Sequence, residues 1–353
     1  MSELSVKPKR HLLQEVIARC SQLSIPAHAL LELTYRCNLH CVHCYIDVDQ
    51  ADELTLAEWK GVIDQLKAAG TIFLLLTGGE IMLRGDFLEI ATYARRNGFI
   101  LSLMTNCTLL TYEMAQDIAE LKPASITTSL YGASAATHES VTRVTGSYER
   151  TIEGIRLLVE HGLAPLVQTV VMKSNLTELA QIQRLVKSLG AEASIDIGIA
   201  PSKTGAAFPF QCEPSVEELA RCGWRPDTLG EVQNDGHGLC KAGKALCSVS
   251  PNGDVFPCLI FPLRLGNLRQ SSFDILWRLE PCAELRYLRS MRRNDLYACR
   301  QCHLAAYCQR CTGIAYLESG RANGPGSSAC RQAQTRWQLS QAAEVIPCPK
   351  NLM

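Results

Sequence analysis

Six short β-rich runs punctuate the first two-thirds of the chain: Ala29–Thr34, Ile72–Thr77, Phe99–Met104, Ser125–Leu130, Leu166–Met172 and Ser194–Ile199. Helical patterns lie between them. Thr55-Leu-Ala-Glu58 is a capping box, which satisfies free N–H groups at a helix start. Trp59, Val62, Ile63 and Leu66 then follow at helical spacing. Gly70, Gly98, Gly162 and Gly190 sit where successive helices should stop. Strands alternating with helices imply a parallel sheet with right-handed crossovers. A closed eight-fold barrel needs two more units than the chain supplies. A partial (β/α)6 TIM-like barrel fits the count, with a doubly wound open sheet as the alternative.

Ligand-binding groups in such barrels cluster at the C-terminal ends of the strands. Cys37-Asn-Leu-His-Cys41-Val-His-Cys44-Tyr45 follows the first run and Gly78-Gly79-Glu80 the second. Thr105-Asn106-Cys107 follows the third, and Ser129-Leu130-Tyr131-Gly132 ends the fourth. Three thiolates spaced C-x3-C-x2-C can hold three corners of a four-iron cluster, leaving one iron without a protein ligand. Structural zinc sites and purely structural clusters are usually closed by four protein ligands. An open iron can bind a small molecule and pass it an electron. A three-cysteine zinc site is the competing reading of the spacing alone.

A second cysteine-rich module starts at Cys240. One group reads Cys240-x6-Cys247-x10-Cys258, with Asn252-Gly253 between Val249 and Val255 as a hairpin signal. A second reads Cys299-x2-Cys302-x5-Cys308-x2-Cys311-x18-Cys330. These eight cysteines are the number that two fully ligated four-iron clusters require. One or two structural zinc sites are the alternative. The expected organisation is an N-terminal segment over 1–28, a barrel over 29–235, the cysteine module over 236–335 and a tail over 336–353.

The bulk properties narrow the class further. The 353 residues allow one large domain and a smaller one. With 35 basic and 35 acidic residues, no electrostatic case exists for nucleic acid or a membrane surface. The longest apolar run, Ile72–Leu76, is far too short to span a bilayer. The N-terminus lacks the apolar core and cleavage site of a signal peptide. Seventeen cysteines without an export signal read as metal ligation in a reducing cytoplasm rather than as disulfides.

The C-x3-C-x2-C loop after a first strand, with Gly-Gly-Glu after the second, resembles the radical SAM enzymes. That resemblance implies a [4Fe-4S] cluster on Cys37, Cys41 and Cys44 whose open iron chelates S-adenosylmethionine. Reduction then yields a 5′-deoxyadenosyl radical, the cofactor carrying the hard chemistry. It also implies SAM contacts from Gly78, Gly79 and Glu80 (amino group), His43 (adenine), Asn106 and Ser129 (ribose or carboxylate) and Arg143. Ile81 stands where the family usually has Pro. Cys107 stands where the family commonly has Gly, near the radical, and a thiol there could donate a hydrogen atom.

The C-terminal array is similar to the SPASM extension of these enzymes, which carries two auxiliary clusters. By that analogy Cys240, Cys247, Cys258 and Cys311 hold the first, and Cys299, Cys302, Cys308 and Cys330 the second. The family usually has three residues between Cys308 and Cys311, and this chain has two. Cys20, Cys107, Cys212, Cys222, Cys282 and Cys348 remain outside both sets.

SPASM enzymes act mostly on peptides. Cys311-Thr-Gly-Ile-Ala-Tyr-Leu-Glu-Ser-Gly320 resembles the tail of members that mature ribosomally made peptides. The implied substrate is a precursor peptide, oxidised or cross-linked, with a flavodoxin or ferredoxin as one-electron donor. Only 28 residues precede Ala29, too few for a winged-helix leader-binding domain, so a separate recognition protein or leaderless binding is expected. Glu32 and Asp196 are candidates for a general base. A tetrapyrrole or carbohydrate substrate, a peptide epimerase using Cys107, and a zinc-bound scaffold without catalysis are the alternatives.

Overall fold

The computed structural model describes residues 9–48, 52–222 and 240–345. All six expected strands form, and their register identifies what each face does. In order along the chain come α1 (Lys9–Leu23), β1 (His28–Glu32), α2 (Leu56–Ala68), β2 (Phe73–Thr77) and α3 (Phe87–Arg96). Next are β3 (Ile100–Met104), α4 (Tyr112–Leu121), β4 (Ser125–Ser129), α5 (Ala135–Thr142) and α6 (Ser147–Glu160). Then follow β5 (Leu166–Val170), α7 (Leu179–Ser188), β6 (Glu192–Asp196) and α8 (Val216–Arg221). The sixth strand begins two residues earlier than its β-rich run, because Glu192 and Ala193 also pair with β5.

The strands are parallel and in sequential order from β6 to β1, the arrangement of a split (β/α)6 barrel. Leu31, Leu76, Leu103 and Ile126 are register partners along one rung. All four are buried in the main apolar cluster with Trp59, Ile63, Phe87 and Ile90 of the helices. Side chains alternate across a strand, so the opposite face, including Thr77, Met104, Thr127 and Ser129, turns into the barrel interior. The capping box at Thr55 is present, with Thr55 N–H donating to Glu58 at 2.7 Å and Glu58 N–H to Thr55 Oγ1 at 3.3 Å. The four glycines expected to stop helices all take positive φ.

The cysteine module does not sit apart from this sheet. β7 (Leu246–Val249) pairs parallel with β1, placing Cys247 opposite Ala29. β8 (Asp254–Phe256) returns antiparallel through the Asn252-Gly253 turn, with Val249 opposite Val255, and β9 (Gly266–Asn267) follows it. The sheet therefore reaches nine strands in the order β6-β5-β4-β3-β2-β1-β7-β8-β9. α9 (Ala283–Ser290), α10 (Thr312–Ser319) and α11 (Ser327–Val345) complete the chain. Phe273 and Trp277 join the barrel's apolar cluster, and the Trp277 indole donates to the Ser24 carbonyl at 2.7 Å. Leu339 of α11 packs with Val167, Ile182 and Leu219. Among the described residues, no helix is long and apolar enough to cross a membrane.

Candidate active site

The three-cysteine loop is tied down at both ends. His40 N–H donates to the Thr142 carbonyl at 2.9 Å and Val42 N–H to the Val141 carbonyl at 3.0 Å, both at the end of α5. On the strand side, Gly79 N–H donates to Thr34 O at 2.7 Å and Glu80 N–H to Arg36 O at 2.8 Å. A Cβ on Gly79 would lie 2.2 Å from the Arg36 carbonyl oxygen, and one on Gly78 would lie 2.2 Å from that of Thr34. The two glycines thus let the loop lie flat against the end of β2. Burial pushes the thiols of Cys37, Cys41 and Cys44 up, that of Cys41 to about 12. The Leu39 amide points back at Cys37 Sγ at 3.4 Å.

A cavity of about 710 Å3 opens over this loop. Cys37, Cys41, Cys44, His43, Gly78, Gly79, Asn106 and Ser129 all line it, so eight of the expected site residues meet on one surface. The interior-facing strand residues Thr77, Met104, Thr127, Gln168 and Val170 form its floor. Asn106 is fixed by its neighbours. Its Nδ2 donates to Asn38 at 2.9 Å, and its Oδ1 accepts from Thr108 N–H at 2.9 Å. His43 packs edge-on against Tyr131 at 4.8 Å, and burial lowers its pKa to about 4, so the ring is neutral. Its Nδ1 is buried and has no hydrogen-bond partner among the described residues. Three thiols, a glycine cradle and an unpartnered imidazole fit an iron–sulfur cluster with a bound nucleoside-like ligand.

Five expectations are corrected by this geometry. Glu80 does not face the cavity. It is fully buried, and its carboxylate accepts from Asn106 N–H (2.7 Å), Thr105 Oγ1 (2.7 Å) and Met82 N–H (3.1 Å), which hold it behind the cavity wall. Cys107 is also fully buried, turned against α6 at Gly154. Burial pushes its thiol up to about 12, and it does not reach the cavity, which removes its role as a hydrogen donor. Arg143 is exposed in the left-handed C-cap of α5 and lies outside the lining. Asp196 is exposed, with its carboxylate on the Gly198 amide at 2.9 Å. Glu32 is closed off from the cavity by an ion pair with Lys203 at 2.9 Å. Tyr35, Tyr45, Tyr131 and His138 also line the cavity. Tyr45 and Tyr131 stood inside motifs already of interest, whereas His138 on α5 carried no sequence signal.

The remaining cysteines gather into two groups. Cys258 lies within electrostatic reach of Cys240, Cys311 and Cys247. Cys311 therefore falls with the first group despite its short spacing from Cys308. Cys299, Cys302, Cys308 and Cys330 line a separate cavity of about 140 Å3. Amides point at sulfur here too, Ala242 N–H to Cys240 at 3.4 Å and Ile314 N–H to Cys311 at 3.5 Å. Such N–H···S contacts stabilise thiolates and tune cluster potentials. Among the described residues, no three His, Cys, Asp or Glu side chains converge on a single metal ion. Of the six remaining cysteines, Cys20 and Cys107 are buried, Cys222 is exposed, Cys212 and Cys282 are half-buried, and Cys348 lies outside the described residues.

Split barrel, thiol-lined mouth and cysteine-rich extension together define an iron–sulfur enzyme. The Radical SAM superfamily model matches residues 31–186, and the SPASM iron–sulfur cluster-binding domain model matches residues 240–303. The AdoMet-dependent heme synthase of Methanosarcina barkeri is 30% identical over 324 residues, covering 82% of this chain and 92% of the relative. The antilisterial bacteriocin subtilosin biosynthesis protein AlbA of Bacillus subtilis is 25% identical over 323 residues, covering 88% and 72%. In fold, the chain is similar to Streptococcus suis SuiB bound to its precursor peptide SuiA, with a TM-score of 0.68 at 16% identity, covering 92% and 82%. The chain belongs to the radical SAM superfamily, in its branch with a SPASM domain, and its cofactors are [4Fe-4S] clusters and S-adenosylmethionine.

Proposed function

We propose that this enzyme oxidises a peptide, removing a hydrogen atom from a C–H bond during maturation of a ribosomally made precursor. One observation carries the choice. Among the described residues that line the cavity, none is Asp, Glu, Lys or Arg. Buried carboxylates need cationic or hydrogen-bonding partners, and for the several carboxylates of a tetrapyrrole the only side chains here that can carry positive charge are histidines. Neutral peptide side chains and backbone amides meet thioether, amide, hydroxyl and aromatic groups there. Similarity to AlbA, a bacteriocin biosynthesis protein, supports the same reading. A heme-precursor substrate is the second reading, favoured by the 30% identity to a heme synthase across most of both chains.

In this proposal Cys37, Cys41 and Cys44 hold the cluster that binds SAM. When loaded, that centre supplies the 5′-deoxyadenosyl radical. The chain's own residues bind and orient: the Gly78-Gly79 backbone shapes the amino-acid end of the site, and Asn106, Ser129 and His43 offer polar contacts. Tyr131 and the strand floor exclude water. Glu80 acts from behind, holding the Asn106 and Met82 amides. The two C-terminal groups of four cysteines hold the auxiliary clusters. A small ferredoxin or flavodoxin is the proposed electron donor, and a separate leader-binding protein the proposed partner.

The test gives anaerobically reconstituted protein either a candidate precursor peptide from a neighbouring short reading frame or an iron-loaded carboxylated tetrapyrrole. Loss of hydrogen from the peptide, with deoxyadenosine formed in step, supports the proposal. Conversion of the tetrapyrrole with the peptide untouched overturns it.

A further inference from the structure

Glu32 and Lys203 form an ion pair buried between the two regions that hold thiols. Glu32 ends β1 and is 0% exposed. Lys203 comes from the segment after β6, reaching across the open side of the barrel. Its ammonium lies 2.9 Å from Glu32 and 3.1 Å from the carbonyl of Leu259, the residue after Cys258. Its backbone N–H donates to the carbonyl of Tyr45, the residue after Cys44, at 2.7 Å. The other carboxylate contacts come from the three-cysteine loop: Tyr35 OH at 3.0 Å and Tyr45 OH at 3.4 Å. The ammonium also sits over both rings, 5.1 Å from that of Tyr35 and 5.7 Å from that of Tyr45.

The two charges differ in one respect. Both touch the tyrosines that flank Cys37 and Cys44, but only the cation also reaches the peptide beside Cys258. Half-buried Tyr45 touches both members of the pair, its hydroxyl on Glu32 and its carbonyl on the Lys203 amide, so the residue after Cys44 is tied to the segment that reaches Leu259. A buried ion pair is weak evidence of stabilisation, since apolar replacements often do as well. Its charges are poorly screened. Reducing an iron–sulfur cluster adds negative charge, and the surroundings set the potential at which that happens. A nearby cation favours reduction and a nearby anion opposes it.

We propose that the Glu32–Lys203 pair sets the relative reduction potentials of the two neighbouring iron–sulfur sites. Lys203 makes the site at Cys240, Cys247, Cys258 and Cys311 easier to reduce. Glu32 keeps the site at Cys37, Cys41 and Cys44 a stronger reductant. The inference rests on the cluster assignment made above. Neither side chain lines the cavity, so both are positioning residues: they place charge, and Lys203 also holds Tyr45.

The experiment is an EPR-monitored redox titration of the anaerobically reconstituted full chain, with iron counted in every variant. Lys203→Met should move the auxiliary signal to more negative potential, while Lys203→Arg leaves it near wild type. Glu32→Gln should move the three-cysteine site to more positive potential. The double variant Glu32→Gln, Lys203→Met leaves no unpaired buried charge and guards against single variants that fail to load. Its two potentials should lie closer together than in the wild type. Fully loaded variants with unmoved potentials overturn the pair's role alone. Wild-type protein that holds only the first cluster's iron overturns both this inference and the cluster assignment. Glu32→Gln that stops product formation with potentials and deoxyadenosine unchanged also overturns it, marking Glu32 as a base.

Discussion

Glu80 supports the wall of a cavity it does not line. Its carboxylate collects three donors from two neighbouring strand ends, so it fixes where the Asn106 and Met82 amides stand. Glu80→Ala leaves buried donors unpaired, which costs about 3 kcal/mol. It should also weaken SAM binding by displacing Asn106, and denaturant unfolding with equilibrium binding to the reconstituted protein checks both. His138 gives a pH signature. It is 1% exposed, its Nδ1 accepts from Tyr131 N–H at 3.2 Å, and burial lowers its pKa from 6.5 to about 4. Above pH 6.5 both folded and unfolded states are neutral and nothing is lost. As pH falls from there to about 4, the unfolded chain takes a proton that the folded one refuses. Stability should then drop by about 3 kcal/mol. His138→Asn keeps an acceptor but cannot titrate, so its unfolding free energy should fall less than the wild type's across that window. The motif residues around Cys37, Gly78 and Asn106 were legible because their spacing encodes a backbone shape. The direction of the Glu80 and Cys107 side chains was not, since a strand end turns, and a single residue of turn decides which side a group faces; that of Arg143 was not either, because it depends on the left-handed turn that ends α5.

At the scale of elements, local chemistry wrote most of the barrel. β-rich runs bounded by glycine stops, and the Thr55 capping box, act within a few residues of themselves and so survive in sequence. Two connections depend on distant partners and left no local mark. One is the parallel pairing of β7 with β1. The other is the Arg84 knot, where one buried guanidinium holds Asp86 at 2.7 Å, Glu53 at 3.3 Å, and the carbonyls of Leu33 at 3.2 Å and Leu54 at 3.1 Å. It joins the end of β1 to the segment that enters α2 and to the turn after β2. Arg84→Met should cost about 1 to 3 kcal/mol, because it leaves the Leu33 and Leu54 carbonyls without this donor, while Glu53 keeps Arg36 at 3.2 Å. It should also raise hydrogen exchange in the three-cysteine loop more than in α7, which makes no contact with the knot.

On the scale of the molecule, the cysteine module is continuous with the barrel: its first strand extends the sheet, and Trp277 and Phe273 enter the barrel's core. The two proposed auxiliary sites differ in how they connect to that core. Cys247 sits on β7 inside the sheet, whereas Cys299, Cys302, Cys308 and Cys330 close a small cavity among short turns and the start of α11. Segments with few apolar contacts depend on metal for their fold. Cys299→Ser with Cys302→Ser should therefore remove about four irons and loosen the chain from 293 to 330, while SAM cleavage to deoxyadenosine continues. Cys247→Ser should act differently, placing a hydroxyl inside the sheet next to β1 and disturbing the barrel as well as the cluster. Iron analysis, hydrogen exchange and deoxyadenosine formation on the same preparations separate the two. If the Cys299 and Cys302 changes also halt SAM cleavage, the second group of cysteines is coupled to the barrel mouth more tightly than its position implies.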